Sequence, residues 1–120
     1  MAGLVNAGKH TLLSGFTASA AYVSVHTADP GSSGSAEVTG GSPGYARKSV
    51  TWASPASGSV SSASAVVFDV PGSTTISYLG YWSAVSSGTF YGSRALDTSQ
   101  TYATQGTYTI NSGNLTETVT

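Results

Sequence analysis

The stretch AVVFDVPGSTTISYLGYWSAVSSGTFYGSRAL, residues 65–96, decides the fold. Ala65–Val70 alternates, with Val66, Phe68 and Val70 on one side and Asp69 on the other. That two-residue period is the mark of a half-buried strand. Pro71-Gly72 closes it. Residues 75–84 carry apolar side chains on both sides of the alternation, Ile76, Tyr78, Gly80 and Trp82 against Leu79 and Tyr81. This predicts a strand covered on both faces. Ser86-Ser87-Gly88 then turns a hairpin into Thr89–Leu96.

Working outward, Tyr22–Thr27 alternates in the same way, with Val23 and Val25 pointing together. Asp29-Pro30-Gly31 stops it with turn chemistry. Residues 28–44 are mostly Gly, Ser and Pro and read as a long loop inside the domain, functional or mobile. Residues 45–52 predict a strand with Ala46, Val50 and Trp52 inward, and residues 53–63 a turn with a short strand. Two more short strands are expected near 106–110 and 114–119. The one helical candidate spans residues 3–16, where Leu4, Val5, Leu12, Leu13 and Phe16 share a stripe. The sum is an all-β chain. It predicts a small antiparallel sandwich or jelly-roll-like barrel of about seven short strands. Residues 1–120 form a single β domain, with residues 1–20 an N-terminal helix or arm lying across a sheet.

Composition narrows the function. The chain has 120 residues, of which 39% are hydrophobic, 8% charged and none cysteine. The net charge of −1 supplies no basic field for nucleic acid or an anionic membrane. Disulfides and thiolate metal sites are excluded. An ordinary soluble domain carries about 25% charged residues. So few here suit a subunit whose faces are covered by neighbours. The N-terminus lacks the basic and long apolar regions of a signal peptide, which predicts a protein made in a cytoplasm.

Candidate chemistry is sparse. His26 and Asp29, three apart, could orient a serine. No Gly-x-Ser-x-Gly elbow accompanies them, so a surface imidazole and a turn-forming Asp are expected. His10 and His26 have no metal-ligand spacing. Paired carboxylates for sugar hydrolysis would have to come from Asp29, Glu37, Asp69, Asp97 and Glu117, which nothing groups. Gly40-Gly41 is not a phosphate loop, and Asn114-Leu115-Thr116 is a chance glycosylation acceptor. No catalytic residue, metal or cofactor is expected. Among the aromatics, Trp52, Phe68 and Trp82 are expected as core anchors. Tyr81 and Tyr91 fall on the opposite side of the alternation and are expected at a surface. Tyr45 and Arg47 are expected on one strand face that meets a partner, Arg47 forking onto a carboxylate or loop carbonyls.

Several segments together resemble a family. They are Val25-His26-Thr27-Ala28-Asp29-Pro30-Gly31 with Gly34, then Gly44-Tyr45-Ala46-Arg47 with Val50-Thr51-Trp52. Ala65-Val66-Val67-Phe68 follows, then Gly80-Tyr81-Trp82 with Ser87-Gly88-Thr89-Phe90-Tyr91-Gly92. In order and spacing they are similar to short tailed-phage virion proteins usually labelled tail-fibre or minor structural proteins. The resemblance runs from about residue 4 to 119. It implies a non-enzymatic structural component on the particle exterior, assembled in the host cytoplasm. Its partners would be capsid or tail proteins and further copies of itself, as in a trimer. A tail or fibre-base module and a capsid decoration protein both fit. A host-glycan-binding module, stacking sugars on Tyr81, Tyr91 or Tyr45, is the alternative.

Overall fold

The computed structural model describes residues 4–118. It is a sandwich-like all-β fold and not a closed barrel. The chain opens with α1 (Asn6–Ser19) and continues through β1 (Tyr22–His26), β2 (Lys48–Ser49), β3 (Ser59–Ser61) and β4 (Val66–Val70). β5 (Thr74–Trp82), β6 (Phe90–Tyr102), β7 (Gly106–Ile110) and β8 (Thr116–Thr118) complete it. One antiparallel sheet has the order β2-β1-β5-β6; two ribbons, β3-β8 and β4-β7, form the rest. Residues 1–3 of the expected arm and residue 119 of the last expected strand lie outside the described residues.

The core lies between the sheet and the β4-β7 ribbon. Val23 pairs with Tyr81 and Val25 with Leu79, so these four side chains share a face. They pack with Phe68, Val70, Ile110 and Leu115. Ile76 joins this core although its parity differs from Leu79 and Tyr81. The register breaks between Ile76 and Tyr78, and such irregularities re-aim side chains. In the same break, Ile76 faces Gln100 and Tyr78 faces Ala95. Leu96, Asp97, Thr98 and Ser99 therefore bulge opposite Ser77 alone.

Three expectations change. The strand over 45–52 shrinks to Lys48–Ser49, with an isolated bridge from Trp52 to Ser62. Tyr45 and Arg47 instead leave the ladder and turn their side chains towards Glu37. The strand expected to end at Leu96 runs to Tyr102, because Thr74–Ile76 continue the pairing beyond the bulge. The loop over 28–44 is tied down along β1. Thr27 N–H donates to the Ala36 carbonyl and Val38 N–H to the Val25 carbonyl, both at 3.0 Å. Asp29 forms its expected turn, accepting from Gly31 N–H at 2.9 Å.

The helix covers one end of the core. Leu13 is buried, and the Phe16 ring meets Tyr81 edge-on at 5.3 Å and Trp52 at 5.7 Å. Trp52 also donates to the Ala20 carbonyl at 2.9 Å, which fixes the helix exit. The expected five-residue stripe is only partly used. Val5 and Leu12 remain 72% and 47% exposed.

Candidate functional site

Arg47 is enclosed by its own fold and not displayed on an open strand face. Its Nε and Nη2 donate to the two Glu37 carboxylate oxygens, each at 3.0 Å. Its Nη1 donates to the carbonyls of Ala84 at 3.1 Å and Ser87 at 2.7 Å. Its guanidinium carbon sits 3.5 Å from the centroid of the Trp82 ring. Only 9% of the side chain is exposed. One planar cation thus clips together the long loop, the β5–β6 turn and the sheet. The fork and the stacking surface explain why this residue is Arg and not Lys.

Tyr45 belongs to the same unit. Its hydroxyl donates to Glu37 Oε2 at 2.8 Å and accepts from Val25 N–H at 3.1 Å. Its ring stacks over Phe68. Burial first, and then the bond to the Glu37 carboxylate, push the Tyr45 phenol well above its ordinary value.

Under Trp82 runs a second polar chain on the face of the sheet opposite the core. Trp82 Nε1–H donates to Ser24 Oγ at 2.9 Å, Ser24 Oγ lies 2.6 Å from His26 Nε2, and His26 Nδ1 lies 2.7 Å from the Ser35 carbonyl. A carbonyl only accepts, so Nδ1 carries the proton and Nε2 accepts from the Ser24 hydroxyl. Every donor then meets an acceptor. The expected surface imidazole is in fact completely buried, as is Ser24. The reason is the folded-back loop, which covers the polar side of β1. A serine next to an imidazole is the pairing of a nucleophile and its base. Here neither atom can be reached from solvent, and the other ring nitrogen is held by a backbone carbonyl instead of a carboxylate.

Gly80 makes room for this chain. A Cβ there would stand 2.6 Å from Ser24 Oγ and 2.7 Å from His26 Nε2. Gly80→Ala is expected to destabilise by about 1–3 kcal/mol, the usual cost of overpacking. Urea denaturation checks this; an unchanged midpoint would mean the chain shifts freely.

Of the expected interface tyrosines, Tyr81 is corrected. It is 2% exposed, because the face opposite Trp82 is the main core. Its hydroxyl donates to Glu117, which also receives Arg94 Nη1 at 3.4 Å. Arg94 further donates to the Thr116 carbonyl, so this cluster holds β8 to the sheet. Tyr91 does lie at the surface, 45% exposed, beside Leu12 and Phe16 in a groove of about 340 Å³. As for the expected anchors, Phe68 is completely buried, Trp82 is 8% exposed and Trp52 is half-buried. Among the described residues no three His, Cys, Asp or Glu side chains are grouped to hold a metal ion.

Internal polar clips lock the sheet, and Leu12 and Tyr91 stay exposed beside α1 and β6. The model of the podophage GP4 fiber I protein gp80 family matches residues 9–118. The chain belongs to that family. It is therefore a bacteriophage structural protein of the fibre kind. A search of the curated proteins finds no match.

For this fibre-family member the buried groups set the pH range of stability. Burial lowers the His26 pKa below its ordinary 6.5, against a smaller opposing effect of the Ser35 hydrogen bond. A lowered value means the unfolded chain binds the proton more readily. Stability from neutral His26 is then complete above about 6.5 and declines as pH falls below it. Tyr45 and Tyr81 have raised values, so their contribution is complete below 10.0 and is lost as pH rises past it. A plateau between these limits is expected in melts run across pH, with His26→Gln removing the acid-side decline.

Proposed function

We propose that this fibre-family module is a non-enzymatic structural part of the virion, docked on the tail at a fibre base, and that it works by contact alone. The family match over residues 9–118 carries the reading. The sealed Ser24–His26 pair supports the absence of catalysis, since a nucleophile must touch its substrate.

Shape supports a base over a whole fibre. The principal extents are 46 × 26 × 23 Å. One such unit is a segment of a longer structure. Its partners are other virion proteins and further copies of itself, with a trimer the simplest closed ring for a fibre. Leu12 and Tyr91 are exposed apolar side chains lining the α1–β6 groove and the first candidates to be covered on assembly. Assembly takes place in the host cytoplasm, and no nucleic acid, membrane or cofactor takes part.

Quantitative mass spectrometry of purified particles tests the location. A tail module is expected at roughly three to a few tens of copies, following the symmetry of a closed ring. A count in the hundreds would instead make it a capsid decoration protein.

A further inference from the structure

The β6 bulge builds a second groove, away from α1 and open above the edge of the core. About 420 Å³ in volume, it lies between β6 and the segment running from β7 into β8. Leu79, Ile110 and Leu115 form its buried floor, and half-buried Leu96 and Tyr108 its walls. Asp97 and Asn114 stand exposed on the rim. Bulges recur beside binding sites because they aim side chains away from the regular ladder; this one brings Asp97 to Tyr108. After burial and Tyr102, the Asp97 carboxylate is the third cause raising the Tyr108 hydroxyl's pKa.

The polar groups here are unspent. Among the described residues, the Asp97 carboxylate, the Asn114 amide and the Tyr108 hydroxyl make no hydrogen bond to the protein. Arg94, the one cation of the groove, is committed to Glu117 and the Thr116 carbonyl. Asp97 therefore leaves the groove with a local negative charge. A phosphate, a nucleotide or an acidic sugar would be repelled within about 10 Å. A hard divalent cation needs about six or more oxygens and finds one carboxylate.

What the groove does match is a neutral polyol. A carboxylate accepts from two neighbouring hydroxyls, and an amide both donates and accepts. An aromatic ring and a leucine offer apolar contact to the C–H face of a pyranose. Concave sites with an apolar floor and a few convergent polar groups are the usual form of small-ligand sites. We infer that this groove binds a neutral saccharide, with Asp97 and Asn114 taking its hydroxyls and Tyr108 its apolar face. The inference is separate from where the module sits on the particle, and it uses none of Tyr45, Tyr81 and Tyr91.

The test is a printed array of neutral and acidic oligosaccharides, probed with the labelled full chain clustered on streptavidin to raise avidity. Retention on neutral oligosaccharides is expected. It should fall about tenfold or more in Asp97→Ala and in Asn114→Ala, as for a lost charge-assisted or well-placed hydrogen bond. Tyr91→Ala, outside the groove, should bind as wild type. Both rim residues are exposed, so the variants should melt as wild type does. No retention, retention on acidic oligosaccharides alone, or retention that survives Asp97→Ala and Asn114→Ala would each overturn the inference. So would capture of a displayed peptide library in place of sugars. The particle copy number stands or falls independently of this result.

Discussion

Arg47→Ala is expected to lower the unfolding free energy by about 3–5 kcal/mol, the range for breaking a buried ion pair by removing one partner. The substitution deletes four hydrogen bonds and the cation above Trp82. It leaves the Glu37 carboxylate, whose side chain is 20% exposed, with only the Tyr45 hydroxyl. A domain of this kind has roughly 5–15 kcal/mol in hand, so the loss is a large share. Arg47→Lys keeps the charge but loses the fork and the stacking, and should recover only part of it. Removing Glu37 as well should cost less than the sum of the two single changes, because the penalty is mostly the stranded charge. Urea denaturation of the isolated chain decides the matter. A folded, fully stable Arg47→Ala protein that failed only in particle assembly would return Arg47 to the partner-facing role its strand position suggested.

Trp82→Ala is expected to cost about 3–5 kcal/mol, as for a large buried aromatic. The indole is 8% exposed and packs on Phe90 with ring centroids 5.0 Å apart. It carries the guanidinium of Arg47 on one side and donates to Ser24 at its edge. Its loss opens a cavity and strands a polar chain together. The combination with Arg47→Ala should be strongly non-additive, since the two residues touch. A melt close to wild type would mean that the loop and the β5–β6 turn collapse onto the gap and that the indole is replaceable.

These two residues also show where the sequence is legible and where it stops. The alternation in residues 65–96 identifies the strands, and apolar residues on both sides of residues 76–82 announce burial on both faces. Alternation alone does not rank the two faces. Tyr81 therefore read as the exposed side when it faces the main core, while Trp82 faces the smaller polar layer. His26 read as a surface group for the same reason. Its cover is a Gly- and Ser-rich loop with no period of its own, whose folding back is a long-range event. That loop holds two acids, Asp29 and Glu37, and only the structure shows that Glu37 is the one that meets Arg47. The second half of β6, Asp97-Thr98-Ser99-Gln100-Thr101, carries no apolar alternation at all. Its pairing is inherited from β5, and so the bulge and its groove have no local signal.

We propose that this small module serves a phage particle by being held in place at the tail. Cryo-electron microscopy of the intact particle tests it most directly. Density for this sandwich-like fold should appear around the tail, with α1 and the Tyr91 edge covered by neighbouring chains. Density over the capsid shell, or none anywhere on the particle, would contradict it.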